Sequence, residues 1–258
     1  MQGAKPRLRL FVELPLAAGL TIPLSPEQAH RALAVMRMAQ GEPVVLFNGC
    51  DGEWRGGLMP AGRRAAAVTL SRPLRPQAAE PDLWLAFAPL DGPHTALLVE
   101  KATELGVARL LPVLTTRTQG RSFNAGRLAA RALAAAEQCE RLTVPEIAAL
   151  QPFDRFLAGW PGARPLLVGD ETGVGRPLAE VAAGLAAGVA GGLALLTGPE
   201  GGFVAAELDG LASRPFVTRV HMGPRILRAE TAAIAGLAIL QALAGDWRDR
   251  GSFRGGNE

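Results

Sequence analysis

Leu196-Thr-Gly-Pro-Glu-Gly-Gly-Phe203 and Met222-Gly-Pro-Arg-Ile-Leu-Arg-Ala-Glu-Thr-Ala232 are two glycine-bearing turns placed close together in the chain. Each follows an apolar, strand-like run, Gly192–Thr197 and Phe216–His221, and each leads into a helical pattern. Strand, turn and helix in that repeated order predict an α/β domain with a parallel sheet. They also predict a pocket at the carboxyl ends of the strands, where such sheets bind ligands. Neither turn matches the dinucleotide fingerprint or the phosphate-binding loop.

The two turns carry different chemistry. Glycine at three of the five positions of Gly198-Pro-Glu-Gly-Gly202 permits positive φ and close approach of a ligand to the main chain. Glu200 adds a carboxylate, whose alternative reading is a solvated charge at a helix start. In the second turn Met222, Gly223 and Pro224 bend the chain, and Ile226 and Leu227 offer apolar walls. Thr231 is placed to cap the next helix or bond a ligand, and Glu230 suits the helix dipole. Arg225 and Arg228 oppose that dipole, so an anionic partner is expected there.

Upstream, the alternation continues. Leu83–Pro89, Arg109–Leu114 and Pro165–Val168 read as further strands. His94–Leu105, Ala125–Leu142, Pro177–Ala187 and Ala205–Ser213 read as helices between them. The last helix, Arg228–Ala244, is nearly all apolar after its first turn, so either its own domain surrounds it or a second subunit covers one face. The segment before Leu83 is different. Arg7–Leu14 alternates charged and apolar residues, Ser25-Pro26 opens a helix, and Val44–Phe47, Glu53–Met59 and Ala65–Leu70 are short strands set off by Asn48-Gly49 and Asp51-Gly52. A small β-barrel with one helix over 1–72 is expected. The proline-rich stretch 73–81 then acts as a linker, 82–250 forms the α/β domain, and 251–258 is a flexible tail.

Composition narrows the function classes. The 258 residues are 48% hydrophobic and 20% charged, with a net charge of +3. No run of about 18–20 uncharged apolar residues occurs, so no membrane association is expected. The first ten residues lack an apolar signal core, and a cytoplasmic location is expected. Two cysteines and three histidines, without metal-ligand spacing, give no metal site. The cations are overwhelmingly arginine, which suits bidentate contact with phosphate.

Two further segments bear on nucleic acid. Lys101 and Glu104 are i,i+3 neighbours, taken alone a surface ion pair. On Ala125–Leu142, Leu128, Ala132, Ala135, Cys139 and Leu142 share one face, and Arg127, Arg131, Gln138 and Arg141 another. That cationic face reads either as a solvated surface or as an RNA contact, with Glu137 and Glu140 neutralising part of it. In the first seventy residues His30 and Arg37 are two helical turns apart; His30 alone reads as a structural hydrogen-bonder, and with Arg37, Arg7 and Arg9 it reads instead as part of an RNA-contacting patch.

With these residues in view, the chain resembles the bacterial 16S ribosomal RNA uridine-N3 methyltransferases, the small-subunit methyltransferase E family of the SPOUT class. The matching elements run in order along the chain: Arg9-Leu-Phe-Val12; His30 with Val35-Met-Arg37 and Gly41; Glu100-Lys-Ala-Thr-Glu-Leu-Gly-Val107; Pro112-Val113 through Arg117; Glu137-Gln-Cys-Glu-Arg141 before Val144-Pro145; and, most specific, the two glycine-bearing turns. Leu90-Asp-Gly-Pro-His-Thr95 departs from the family, which usually shows a lysine-glycine pair there.

The resemblance implies a PUA-like RNA-binding barrel followed by a trefoil-knotted SPOUT domain, and a homodimer formed through that domain. It implies S-adenosylmethionine as cofactor, held by Leu196, Thr197, Gly198, Pro199, Glu200, Gly201, Met222, Gly223, Ile226, Leu227, Arg228, Thr231 and Ala232. Arg228, Glu200 and Glu230 are the expected catalytic groups. Arg7, Arg9, His30, Arg37, Lys101, Arg117, Gln138 and Arg141 are the expected contacts to 16S rRNA in the small ribosomal subunit. Competing readings are a SPOUT enzyme acting on tRNA or a ribose 2′-hydroxyl, and a non-enzymatic RNA-binding ribosome-assembly protein.

Overall fold

The computed structural model describes residues 6–62, 64–119, 123–185 and 192–248. The expected tail 251–258 and the end of the expected helix Pro177–Ala187 lie outside the described residues. The described chain forms two compact units. One comprises the residues up to Ala79 together with Ala136–Val144, and the other comprises Glu80–Ala135 and the residues from Pro145 onward.

In the first unit, β1 (Leu8–Phe11), β2 (Thr21–Pro23), β3 (Pro43–Phe47), β4 (Glu53–Pro60) and β5 (Ala66–Arg75) form a sheet in the order β1-β3-β4-β5-β2. The β1–β3 pair is parallel and the others antiparallel. Among the described residues the strand pairing is an open path with β1 and β2 at its ends. The closed barrel expected from the sequence is thus seen as an open five-stranded sheet. β5 also runs through Ser71-Arg72-Pro73-Leu74-Arg75, past a register shift in β4, so the expected linker begins as strand. Pro73 is tolerated there because a bulge already breaks the regular ladder. Inward-facing Leu8, Leu10, Val44, Leu46, Leu58, Val68 and Leu70 make the core.

The expected helix after Ser25 is there, with a local surprise. α1 (Pro26–His30) has Ser25 as N-cap in a capping box with Gln28 and then loosens into a π-helical turn over Arg31–Val35. Arg37 follows it in the left-handed region, at φ 51°. His30 and Arg37 are therefore not two turns apart on one helix face.

The second unit holds β6 (Leu83–Phe87), α2 (Gly92–Glu104), β7 (Arg109–Leu114), most of α3 (Ala125–Cys139), β8 (Glu146–Ile147), β9 (Gln151–Pro152), α4 (Phe153–Ala158), β10 (Leu166–Gly169), β11 (Arg176–Pro177), α5 (Leu178–Gly184), β12 (Leu193–Thr197), α6 (Ala205–Ala212), β13 (Val217–His221) and α7 (Ala229–Ala244). Its strands run β11-β13-β10-β12-β6-β7-β8, with β9 also on β7, and every pairing is parallel. β12 is buried at all five positions, as a parallel strand covered on both faces must be. α4, β2 and the two-residue strands were not expected. They are too short to set up a periodic pattern.

α7 packs on α2, α5 and β12. It approaches β12 closely at Gly236, where a Cβ would stand 2.7 Å from Leu195 Cδ2. Gln241, buried at the other end of the helix, donates to the Leu105 carbonyl at 2.6 Å and so fixes α2 to α7. Asp91, part of the departure noted above, caps α2 by accepting from the His94 amide at 3.0 Å. No helix among the described residues is long and apolar enough to cross a membrane.

Candidate active site

β13, β10 and β12 are neighbours in the parallel sheet, so their carboxyl ends emerge side by side. Three loops leave from that edge: Gly169–Gly173 after β10, Gly198–Gly202 after β12, and Met222–Arg228 after β13. Together with Ala229 and Ala232 of α7 they enclose a cleft of about 530 Å³. This is the topological position at which open parallel sheets bind ligands.

Each loop is fixed by contacts beneath it. Gly198 lies under the Phe203 ring, where a Cβ would stand 2.9 Å from the ring edge. Gly202 has φ 68°, and its Cα faces the Glu171 carboxylate closely enough to exclude a side chain. Arg117, from the loop after β7, donates to the Gly201 carbonyl at 2.7 Å. Buried Glu207 on α6 accepts from the Thr116 amide and hydroxyl at 2.7 and 3.0 Å and from the Val204 amide at 3.0 Å. One carboxylate thus joins the start of α6 to the loop after β7.

The β10 loop is anchored by Asp170. Its fully buried carboxylate accepts from the Thr172 amide at 2.9 Å and pairs with Arg219 at 2.5 Å. Burial alone would raise the Asp170 pKa, but the Thr172 bonds and the Arg219 charge outweigh it and hold the group below its ordinary value.

The cleft lining includes most of the expected cofactor set: Thr197, Gly198, Pro199, Glu200, Gly201, Met222, Gly223, Ile226, Leu227, Arg228 and Ala232. Leu196 does not line it, being fully buried in the sheet. Glu230 and Thr231 are absent from the lining too. Thr231 does not cap the helix: Arg228 is the N-cap residue, without a side-chain cap bond, and Thr231 is third in α7. Ile226 was expected to be a wall, but at 88% exposure it is a rim residue. Reading the sequence missed the entire Gly169–Gly173 loop. The glycine after an apolar strand in Leu166-Leu-Val-Gly-Asp-Glu-Thr-Gly173 was the available signal, and it is the same signal that marked the other two turns.

One polar side chain of the cleft lining stands out. Thr197 is 3% exposed, and its Oγ1 has no hydrogen-bond partner among the described residues. A buried hydroxyl without a partner costs on the order of 1–3 kcal/mol. Arg225, in the loop after β13, and Arg228, the N-cap residue of α7, are exposed. Among the described residues no three His, Cys, Asp or Glu side chains are grouped so as to hold a metal ion.

The expected RNA contacts separate by geometry. Arg9 is built into the first unit: it pairs with Glu53 at 2.6 Å, donates to the Ala136 and Arg141 carbonyls, and lies over the Phe47 ring. With its side chain 10% exposed it is a structural cross-link, and it leaves the set of RNA contacts. Arg7, His30, Arg37, Arg117 and Gln138 are exposed. Lys101 lies between Glu100 and Glu104 at 3.0 and 2.8 Å. Arg141 stands beyond the end of α3, half-buried, and donates to Thr143 at 3.0 Å. The single cationic helix face expected over Ala125–Leu142 is therefore broken, with buried Glu137 paired to Arg31 at 2.6 Å.

Residues 78–241 match the family model for the RNA methyltransferase domain. The ribosomal RNA small subunit methyltransferase E of Rickettsia conorii is 30% identical over 236 residues, covering 91% of this chain and 95% of that protein. The chain belongs to the ribosomal RNA small subunit methyltransferase E family. The family member of that name from Synechocystis is also 30% identical, over 241 residues, covering 91% of this chain and 77% of that protein. Among solved structures, the Neisseria gonorrhoeae family member bound to S-adenosylmethionine superposes with a TM-score of 0.82 at 26% identity, covering 93% of this chain and 98% of that one. A Legionella pneumophila methyltransferase in complex with S-adenosylmethionine gives 0.79 at 28% identity, covering 92% and 98%.

Proposed function

We propose that this protein transfers a methyl group from S-adenosylmethionine to N3 of a uridine in 16S rRNA of the small ribosomal subunit. The observation that carries this reading is the three-loop cleft at the ends of β13, β10 and β12, in a chain of this family. The residues present fit the cofactor. Gly198, Gly201 and Gly202 all line the cleft, so main chain forms one wall of it, beside Thr197. Carboxylates and guanidinium groups both line the cleft, matching a zwitterionic amino-acid portion.

The cofactor supplies an electrophilic methyl group on a sulfonium centre. The protein's task is to make N3 of the base a nucleophile. Neutral uridine has a proton on N3 and no free lone pair there, so the proton must leave as the new N–C bond forms and the S–C bond breaks. Glu200, on the cleft lining, is the proposed acceptor. Glu230 lies outside the lining and is assigned an orienting role on α7. Arg228 stabilises the negative charge that develops on O2 and O4 as the proton leaves.

Family membership supports further readings. The second unit is assigned to the SPOUT class, with the cofactor loops passing through its trefoil knot. The first unit is read as a PUA-like RNA-binding module, its boundary moved to follow Arg75 because β5 extends that far. Arg7, His30, Arg37, Arg117 and Gln138 remain the RNA-contact candidates of the two units, and Lys101 joins them if RNA displaces its carboxylate partners. A homodimer is supported by Ile234, Ala235, Ala238 and Ile239, apolar residues of α7 left half-buried within the chain. A ribosomal substrate supports a cytoplasmic location.

The test is methyl transfer by purified protein to small ribosomal subunits. Arg228→Ala should fold, bind S-adenosylmethionine and lose about 100-fold or more in transfer rate, the scale of an oxyanion-stabilising donor. Unimpaired transfer by that variant would remove Arg228 from the mechanism.

A further inference from the structure

The β10 loop brings a carboxylate to the cleft that the reading above does not use. Its two acidic residues have opposite situations. Asp170 is spent internally, buried between Thr172 and Arg219. Glu171 is exposed, lines the cleft, and is free of hydrogen-bond and ion-pair partners among the described residues. Its carboxylate lies over Gly202, the one position of the neighbouring loop where a side chain would collide with it. Asp170 fixes the main chain on either side of Glu171: its own amide donates to the Val220 carbonyl at 2.9 Å, and its carboxylate holds the Thr172 amide. A free charge is thus carried on an anchored loop.

We propose that Glu171 recognises the ammonium group of the amino-acid portion of S-adenosylmethionine. This rests on the cofactor reading above and names the group that one carboxylate takes.

The cofactor presents two cationic centres, and the chemistry separates them. The sulfonium charge disappears during methyl transfer. A carboxylate held against it would stabilise the ground state more than the transition state and slow the reaction. The ammonium charge is unchanged throughout, so a carboxylate there adds affinity without raising the barrier. Arg225, on the loop after β13, supplies the opposite sign for the carboxylate of the same amino-acid portion. The ribose diol is neutral but can donate to a carboxylate, and the titration below separates that contact from the ammonium.

Calorimetric titration of wild type and Glu171→Gln with three compounds tests this. S-adenosylmethionine and S-adenosylhomocysteine both carry the ammonium group; 5′-methylthioadenosine has the ribose and adenine without it. The expected result is a loss of about three- to tenfold for the first two, as for one partly solvated charged contact, and no change for the third. Loss for all three would assign Glu171 to the ribose and overturn the proposal. Loss for S-adenosylmethionine alone would assign it to the sulfonium and overturn the proposal equally. No loss for any would remove Glu171 from the site. If wild type binds none of the three, the cofactor reading itself falls, a distinct outcome. Glu171 is exposed, and an unchanged Tm will show that the variant folds.

Discussion

Asp170 and Arg219 form a buried pair, Oδ2 to Nη2 at 2.5 Å, where β10 and β13 leave the sheet and open into two of the three cleft loops. The pair ties the foundations of the cleft together. Its cost is desolvation, offset by the added bond from the Thr172 amide.

Replacing Asp170 with Asn keeps the shape and one acceptor but leaves Arg219 without its charge. A loss of about 1–3 kcal/mol is expected, at the low end for buried pairs because Arg219 is partly exposed, or a fall of roughly 2–12 °C in Tm. Cofactor affinity should fall with it, since Glu171 loses its anchored neighbour. Thermal melts and calorimetry on Asp170→Asn check both.

A second prediction concerns acid. Glu53 is buried between Arg9 and Arg75 at 2.6 and 2.8 Å. Burial alone would raise its pKa, but the hydrogen bonds and charges of Arg75 and Arg9 prevail and keep it below its ordinary value of 4.5. A depressed folded-state pKa means stability that is present above the unfolded value and lost as pH falls through the folded one. Wild type should therefore lose stability below about pH 4.5 more steeply than Glu53→Gln, while the variant is less stable at neutral pH. Chemical denaturation at a series of pH values reads the two slopes.

Gly236 provides a packing test. A Cβ there meets Leu195 Cδ2 at 2.7 Å with Met222 Sδ at 3.4 Å, so Gly236→Ala pushes α7 away from β12 and from the cleft loop. Overpacking of this kind costs about 1–3 kcal/mol, more than the helix propensity that alanine adds. A lower Tm with weaker cofactor binding is expected. A rise in Tm would show that α7 does not bear on β12 in the way described.

Much of the fold is legible in the residues. Apolar runs such as Leu193–Thr197, flanked by glycine, point to parallel strands, and the two glycine-bearing turns point to the right edge of the sheet. The third loop escapes because a glycine after an apolar strand is its one signal, without the proline and paired glycines of the Gly198–Gly202 turn, and its importance comes from strand order: β10 sits between β12 and β13. Strand order depends on non-local pairing, which local periodicity does not encode. Arg9 escapes for a related reason. In the sequence it is an exposed-looking cation on an alternating strand, and only the fold supplies Glu53, Phe47 and the carbonyls of Ala136 and Arg141 to enclose it. Likewise, a π-helical turn after His30 breaks the spacing to Arg37, and nothing in Arg31–Val35 announces it.

The reaction itself is tested most directly by nucleoside mass spectrometry of 16S rRNA. Small subunits from a strain lacking this gene are compared before and after incubation with the purified protein and S-adenosylmethionine. N3-methyluridine should be missing at first, appear on incubation, and fail to appear with Arg228→Ala. Methyl transfer to a ribose 2′-hydroxyl, to tRNA, or to nothing at all would contradict the proposed reaction.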